Sequence, residues 1–215
     1  MARVVIAAGV ATALLLLGAA AGLLIAGPAR PSEPAPGAVD VGFAQDMSMH
    51  HQQAVTMATL ARERGGDAEV RGLAFDIETN QRDQIGRMQG WLNLWGQPPQ
   101  ASGPPMQWMH GGEHQRGGEH QHGGMAAGAG MPGMADSAEL ARLRTLRGPA
   151  FDTEFLRLML RHHEGGAPMA RYGAEHAALA PVRGLASNML GSQATESELM
   201  RAMLAARGAA PLPPG

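Results

Sequence analysis

At 215 residues the chain has room for one modest domain with extras and a proper core. Its formal net charge of −2 gives no electrostatic case for binding nucleic acid. Cysteine is absent, which excludes disulfides, thiolate metal sites and cysteine nucleophiles, whereas methionine reaches 15 residues and aromatics only 4%. Thioethers fill irregular core volume but are also soft metal ligands, so the methionine bias has two readings.

In chain order, Arg3 precedes an apolar run from Val4 to Ala26. A run of about 20 residues can span a bilayer core, and it exceeds the about 7–15 residues usual in a cleavable signal. Small residues ending at Ala29 still offer a cleavage site. Residues 1–27 are therefore read as a signal anchor or a signal peptide, and either places the rest outside the cytoplasm. Residues 28–39, opening Pro28-Ala-Arg-Pro31, form a stiff proline-rich linker.

Asp40 looks like a helix start. Phe43, Met47, His50, Ala54, Met57 and Ala61 then fall at alternating spacings of four and three, one stripe of an amphipathic helix. Gly65-Gly66 ends it and Asp67 caps a second helix. That helix has a stripe of Val70, Leu73, Ile77, Gln81, Gln84 or Ile85, Met88 and Trp91 or Leu92, and stops at Gly96-Gln-Pro-Pro99. Residues 40–99 thus read as a helical hairpin.

An insert at 100–135 follows, Gly-rich and without hydrophobic periodicity. It holds His110, His114, His120 and His122 with Met106, Met109, Met125, Met131 and Met134. Such a composition is expected to be mobile when free, and its histidines and methionines are candidate auxiliary ligands for soft or borderline metals. A solvated linker is the alternative. Asp136-Ser-Ala-Glu139 reads as a capping box opening a short helix to about Arg147.

The remainder, within 136–215, repeats the first hairpin. Met47-Ser-Met-His50-His51 running to Met57 and Met159-Leu-Arg-His162-His163 running to Met169 both read M-x-x-H-H-x(5)-M, at an offset of 112 (162 − 50). The same offset superposes Asp40 on Asp152, Phe43 on Phe155 and Gln81 on Gln193, and Val70-Arg-Gly-Leu-Ala74 on Val182-Arg-Gly-Leu-Ala186. This is a duplicated unit. The second copy departs at Gly165, Gly166 and Pro168, which fall inside its first helix and predict a kink or break there. Pro181 suits the first turn of the last helix. Two hairpins that each expose an apolar face bury it together, so an all-α four-helix bundle is expected.

On a helix, Met47 neighbours His50 and His51, and Met57 lies about two turns on. Thioether and imidazole without thiolate or carboxylate suit Cu(I) or Ag(I). The alternative is that the methionines are core and the histidines hydrogen-bonded polar core residues. No predicted bundle helix carries the Glu-x-x-His of a di-iron centre. His-Glu-x-x-His, a phosphate-binding Gly-Lys-Ser loop and Gly-x-Ser-x-Gly are also absent, and Glu175-His176 has no counterpart at Glu63-Arg64. These letters give an enzyme little support, and a redox enzyme using copper or iron stays as a third reading.

The segments Phe43 to Ala58 and Phe151 to Ala170, with the Met131-Pro-Gly-Met134 lead-in, closely resemble the bacterial domain-of-unknown-function family 305, over about Asp40 to Gly208. The resemblance implies an exported, ferritin-like four-helix bundle whose characterised members bind Cu(I) or Ag(I) through Met and His. Carried over to this chain, it points to Met47, His50, His51, Met57, Met159, His162, His163 and Met169. The function expected is extracytoplasmic copper sequestration, resistance or transfer, with metal ions, a membrane reached through the N-terminal segment and a copper transporter or chaperone as partners. A metal-free structural or partner-binding bundle is the rival reading.

Overall fold

The computed structural model describes residues 2–26, 35–110 and 130–213, with side chains of the first helix described over 9–22. The chain divides into two units, Met1–Glu33 and Pro34–Gly215. The first holds α1 (Ala2–Ala26), whose Val10 and Leu14 to Leu17 are exposed. Among the described residues no helix is long and apolar enough to cross a membrane. The part of α1 with described side chains is shorter than the about 20 residues a span requires.

Among the described residues the regular elements of the second unit are helices, apart from one isolated bridge between Gly65 and Gly148. It comprises α2 (Ala38–Arg64), α3 (Ala68–Leu94), a 3-10 turn (Gln107–His110), α4 (Ser137–Thr145), α5 (Gly148–His176) and α6 (Ala180–Ala206). The long helices pair as hairpins, α2 on α3 and α5 on α6, and the hairpins meet through α2 and α5. Every member of the α2 stripe from Phe43 to Ala61 is fully buried, as the 3.6-residue period requires.

Each hairpin turn is held by the other repeat. Asp40, in the first turn of α2, is fully buried and accepts from the N–H groups of Ala178 and Leu179 at the α5–α6 turn (3.1 and 2.9 Å). It also accepts from Gly37 N–H (2.8 Å). Its repeat mate Asp152 accepts from Gly66 and Asp67 N–H at the α2–α3 turn (3.0 and 2.9 Å). Arg71 and Arg183, again 112 apart, close the same turns by donating to the carbonyls of Gly65 and Gly66, and of Ala177 and Ala178. Orphan backbone groups at helix ends are costly when buried, and this reciprocal capping satisfies them.

Two expectations are corrected. First, α5 runs unbroken through Gly165, Gly166 and Pro168. A mid-helix proline costs about 3 kcal/mol, but Met159, His162, Met169 and Gly173 are buried on both sides of it, and that burial holds the helix together. Second, the insert is not a free linker at its ends. Met106 N–H and Trp108 Nε1–H both donate to the buried Asp46 Oδ2 (2.6 and 2.8 Å), and Trp108 lies edge-on to Phe43 and Tyr172. At the other end Ala135 N–H donates to Gln53 Oε1 (2.7 Å), while Gln53 Nε2 donates to Ala135 O (2.9 Å). Local composition predicts mobility, but a buried carboxylate and an amide clasp supply tertiary partners that composition does not register. His114, His120, His122 and Met125 lie outside the described residues. The capping box at Asp136 and Glu139 is present as expected, and Glu139 also pairs with Arg161 on α5 (2.6 Å).

Glycine decides two close approaches. A Cβ on Gly165 would stand 2.3 Å from Pro132 O, so only glycine lets the Met131–Met134 loop lie against α5. A Cβ on Gly166 would stand 2.9 Å from His50 Cε1 and 3.4 Å from its Nδ1. The glycines that look like helix breakers in the sequence are where a loop and an imidazole seat.

Candidate functional site

The eight candidate residues on the bundle helices are all buried. They are not arranged as one site per repeat. The helical pitch and the α2–α5 packing sort the methionines across repeats. Met57 and Met159 belong to one apolar cluster with Phe151, Phe155 and Ile77. Met47 and Met169 belong to the other, with Met88, Met189 and the insert's Met106 and Met131. Met109 and Met134 pack, partly buried, against this second cluster, and His110 is exposed.

The histidines form a polar layer of their own. His50 on α2 and His162 on α5 lie face to face, with ring centroids 3.8 Å apart and planes 35° apart. His51 and His163 point outward along the same layer toward α3 and α6. His162 Nε2–H donates to His50 O (3.1 Å), and His50 Nε2–H donates to Pro132 O (3.2 Å). His51 Nε2–H donates to Gln84 Oε1 (2.7 Å), whose amide nitrogen is occupied by Asn80 Oδ1 (3.2 Å). His163 Nε2–H donates to Glu196 Oε2 (2.6 Å). In each ring Nε2 therefore carries the proton, because each partner is an acceptor.

The other ring nitrogen has no partner in any of the four. Nine buried side-chain polar atoms among the described residues lack a hydrogen-bond partner, and seven belong to this layer: Nδ1 of all four histidines, both amide atoms of Gln81, and Gln193 Oε1. An unmet buried polar atom costs about 1–3 kcal/mol, so such a concentration calls for a bound ion, water or other polar species. Among the described residues no three of His, Asp and Glu stand close enough together to hold an ion.

Burial keeps the rings of His50, His51 and His162 neutral. His50 is pushed down to about 4, chiefly by desolvation, against the favourable Pro132 carbonyl and with a further push from His163. His51 is pushed down to about 3 by burial and by His50, opposed by Gln84. His162 lies well below the usual imidazole value for the same first reason, with His50, His163 and His51 adding to it. Near neutral pH these rings present lone pairs rather than charges, the form a metal takes.

Sequence reasoning found the histidines by repetition but missed what orients them. Gln84 and Gln81 were legible as polar interruptions of an apolar stripe. Glu196 was overlooked, although the offset of 112 that maps His51 onto His163 maps Gln84 onto it. The Pro132 carbonyl could not be read at all, since a backbone atom of a Gly-rich loop carries no side-chain signal.

The profile of a family described as a domain of unknown function (DUF305) matches residues 40–204. Among solved structures, the bundle is similar to a DUF305 protein from Streptomyces coelicolor assigned as secreted (43% identity, TM-score 0.70, covering 81% of this chain and 97% of that one). It is also similar to a DUF305 fragment from Deinococcus radiodurans (35%, TM-score 0.62, 80% and 99%). A more distant likeness is to CopM in its Cu(II)-bound form (28%, TM-score 0.56, 76% and 94%) and in its Cu(I)-bound form (25%, TM-score 0.56, 77% and 94%). No curated protein matches the chain. A duplicated helical hairpin, a doubled Met-His-His signature and a match across nearly the whole second unit together make this chain a member of the DUF305 family.

Proposed function

We propose that this protein is an extracytoplasmic soft-metal-binding protein that holds Cu(I) or Ag(I) at the histidine layer and serves copper sequestration, resistance or transfer. The observation that carries the reading is the set of four buried, Nε2-protonated imidazoles whose Nδ1 atoms lack partners. Metal-bound histidines characteristically donate their second ring N–H to a carbonyl or carboxylate, which sets the tautomer and ring orientation. The donor set of imidazole and thioether without thiolate suits Cu(I). The copper-bound forms of CopM, at 25–28% identity, lend support.

A pair of the histidines would hold the ion, joined by a thioether of the two clusters, Met47 and Met169 in one and Met57 and Met159 in the other. Since no three of His, Asp and Glu converge among the described residues, the reading requires a thioether or a low coordination number, both of which Cu(I) accepts. The apolar run at Val4–Ala26 is long enough in sequence to tether the domain to a membrane. A copper transporter or chaperone is the partner such a carrier requires.

The rival is a metal-free bundle in which the histidines are polar core residues. It is favoured by the hydrogen bond that each imidazole already makes. Anaerobic Cu(I) titration of the full chain against a competing chelator decides between them. Gly166→Ala, whose new methyl would press on His50, should weaken binding strongly, and deleting Met125 with the surrounding insert should spare the tightest sites. A weak isotherm that neither change affects would leave the histidines as architecture.

A further inference from the structure

The duplicated frame carries a difference the repeat signature conceals. Between α5 and α6 a cleft of about 330 Å³ reaches His163 and Gln193, both buried, with Glu164, Glu198, Arg171 and Arg201 around it. Shifting by 112 places the counterpart on the α2–α3 face, where a groove is lined by Gln52, Val55, Thr59, Ile85 and Gly86. That groove has neither His51 nor Gln81 in its lining. Glu164 stands for Gln52, Glu196 for Gln84 and Glu198 for Gly86, while in the opposite sense Leu190 of the cleft lining stands for Glu78. The two cations at the cleft are partly accounted for, since Arg201 pairs with Glu164 (2.6 Å); Arg171 lies exposed.

We propose that the α5–α6 cleft is the passage by which a soft monovalent cation enters and leaves the histidine layer, with His163 and Gln193 the first buried ligands it meets. The inference rests on the metal-binding reading above and deepens it by assigning the route. Glu164 and Glu198 offset Arg171 and Arg201 in the cleft lining, so its mouth does not repel an arriving cation. At the inner end, His163 Nδ1 and Gln193 Oε1 are buried and lack partners, so an arriving ion finds donors. Glu196, accepting from His163 Nε2–H, fixes the orientation of that ring, so that Nδ1 is the atom left without a partner. On the other hairpin, Val55 and Ile85 stand where the cleft has the smaller Ala167 and Ser197, and the groove lining does not include His51.

The test is stopped-flow uptake of Ag(I), a redox-stable probe, by the full chain, with release into a chelator followed separately and affinity measured at equilibrium. Ala167→Leu with Ala194→Leu narrows the cleft using helix-compatible side chains at positions that are not fully buried. Gly86→Leu, at a glycine with open space beyond it, is the matched control on the first repeat. The expected result is that the double variant takes up and releases silver at least about tenfold more slowly with little change in affinity, while Gly86→Leu behaves as wild type. Glu164→Gln with Glu198→Gln leaves Arg171 and Arg201 unbalanced and should slow uptake most at low salt. Unchanged rates in the double variant overturn the passage, and so does a loss of affinity without slower entry. A wild-type chain without saturable silver binding brings down the metal reading itself, and the passage with it. Circular dichroism of each variant separates these outcomes from misfolding.

Discussion

The hairpin α2–α3 and the hairpin α5–α6 carry the same stripes, the same Met-His-His signature and reciprocal aspartate caps, yet they treat their outer histidine differently. His51 rests on a neutral amide, Gln84, and the groove on its hairpin does not reach it. His163 rests on a carboxylate, Glu196, beside a cleft. Duplication conserved the frame that folding needs and let the two surfaces diverge. What both repeats keep is therefore a guide to stability.

Acid should perturb this comparison most. Histidines held below their ordinary value are neutral in the fold and protonate first in the unfolded chain, so stability is lost as pH falls below about 6.5. The loss is about 1.4 kcal/mol per pH unit for each titrating imidazole and continues down to about 4 for His50 and about 3 for His51. With His162 acting in the same sense, unfolding of the metal-free protein is expected between pH 6 and 4, at roughly the stability of a small domain. Urea melts across that range check it; a stability flat to pH 4 would mean the rings are already charged in the fold.

Next come the reciprocal caps. Asp40→Ala and Asp152→Ala each strand backbone N–H groups of the opposite hairpin turn, and each should cost about 2–5 kcal/mol in denaturant melts. Markedly unequal costs would show that the two turns are not equivalent. Gly165→Ala drives a methyl into the Pro132 carbonyl and should cost about 1–3 kcal/mol. Its mate, Gln53→Ala, removes the Ala135 clasp and should cost about 1–2 kcal/mol. Both should loosen the insert, which limited proteolysis would detect.

Glu196→Gln makes the second repeat resemble the first. On the metal reading it should weaken Cu(I) binding about tenfold, while Gln84→Glu should strengthen it. Competition titrations of the two variants give the sign directly. Smallest of all, Arg201→Ala breaks an ion pair whose partners are half and one-third exposed, and should change stability by less than about 1 kcal/mol.

The sequence alone determined the helices, the duplication and the burial of the stripes. These follow from local periodicity: a residue every three or four positions either faces the core or does not, and Gly65-Gly66 and Asp67 end and start helices by their own chemistry. It also picked out the histidine pairs, because repetition at one offset marks them. It did not determine that Met47 joins Met169 and Met57 joins Met159, since that pairing depends on how α2 crosses α5. Nor did it predict that Gly165-Gly166 would admit a loop and a ring instead of breaking a helix, because local propensity counts the cost at those positions and not the neighbour they receive. The unpartnered Nδ1 atoms, the Pro132 carbonyl facing His50 and the cleft at His163 were decided by tertiary structure, being relations among residues 33 to 112 positions apart.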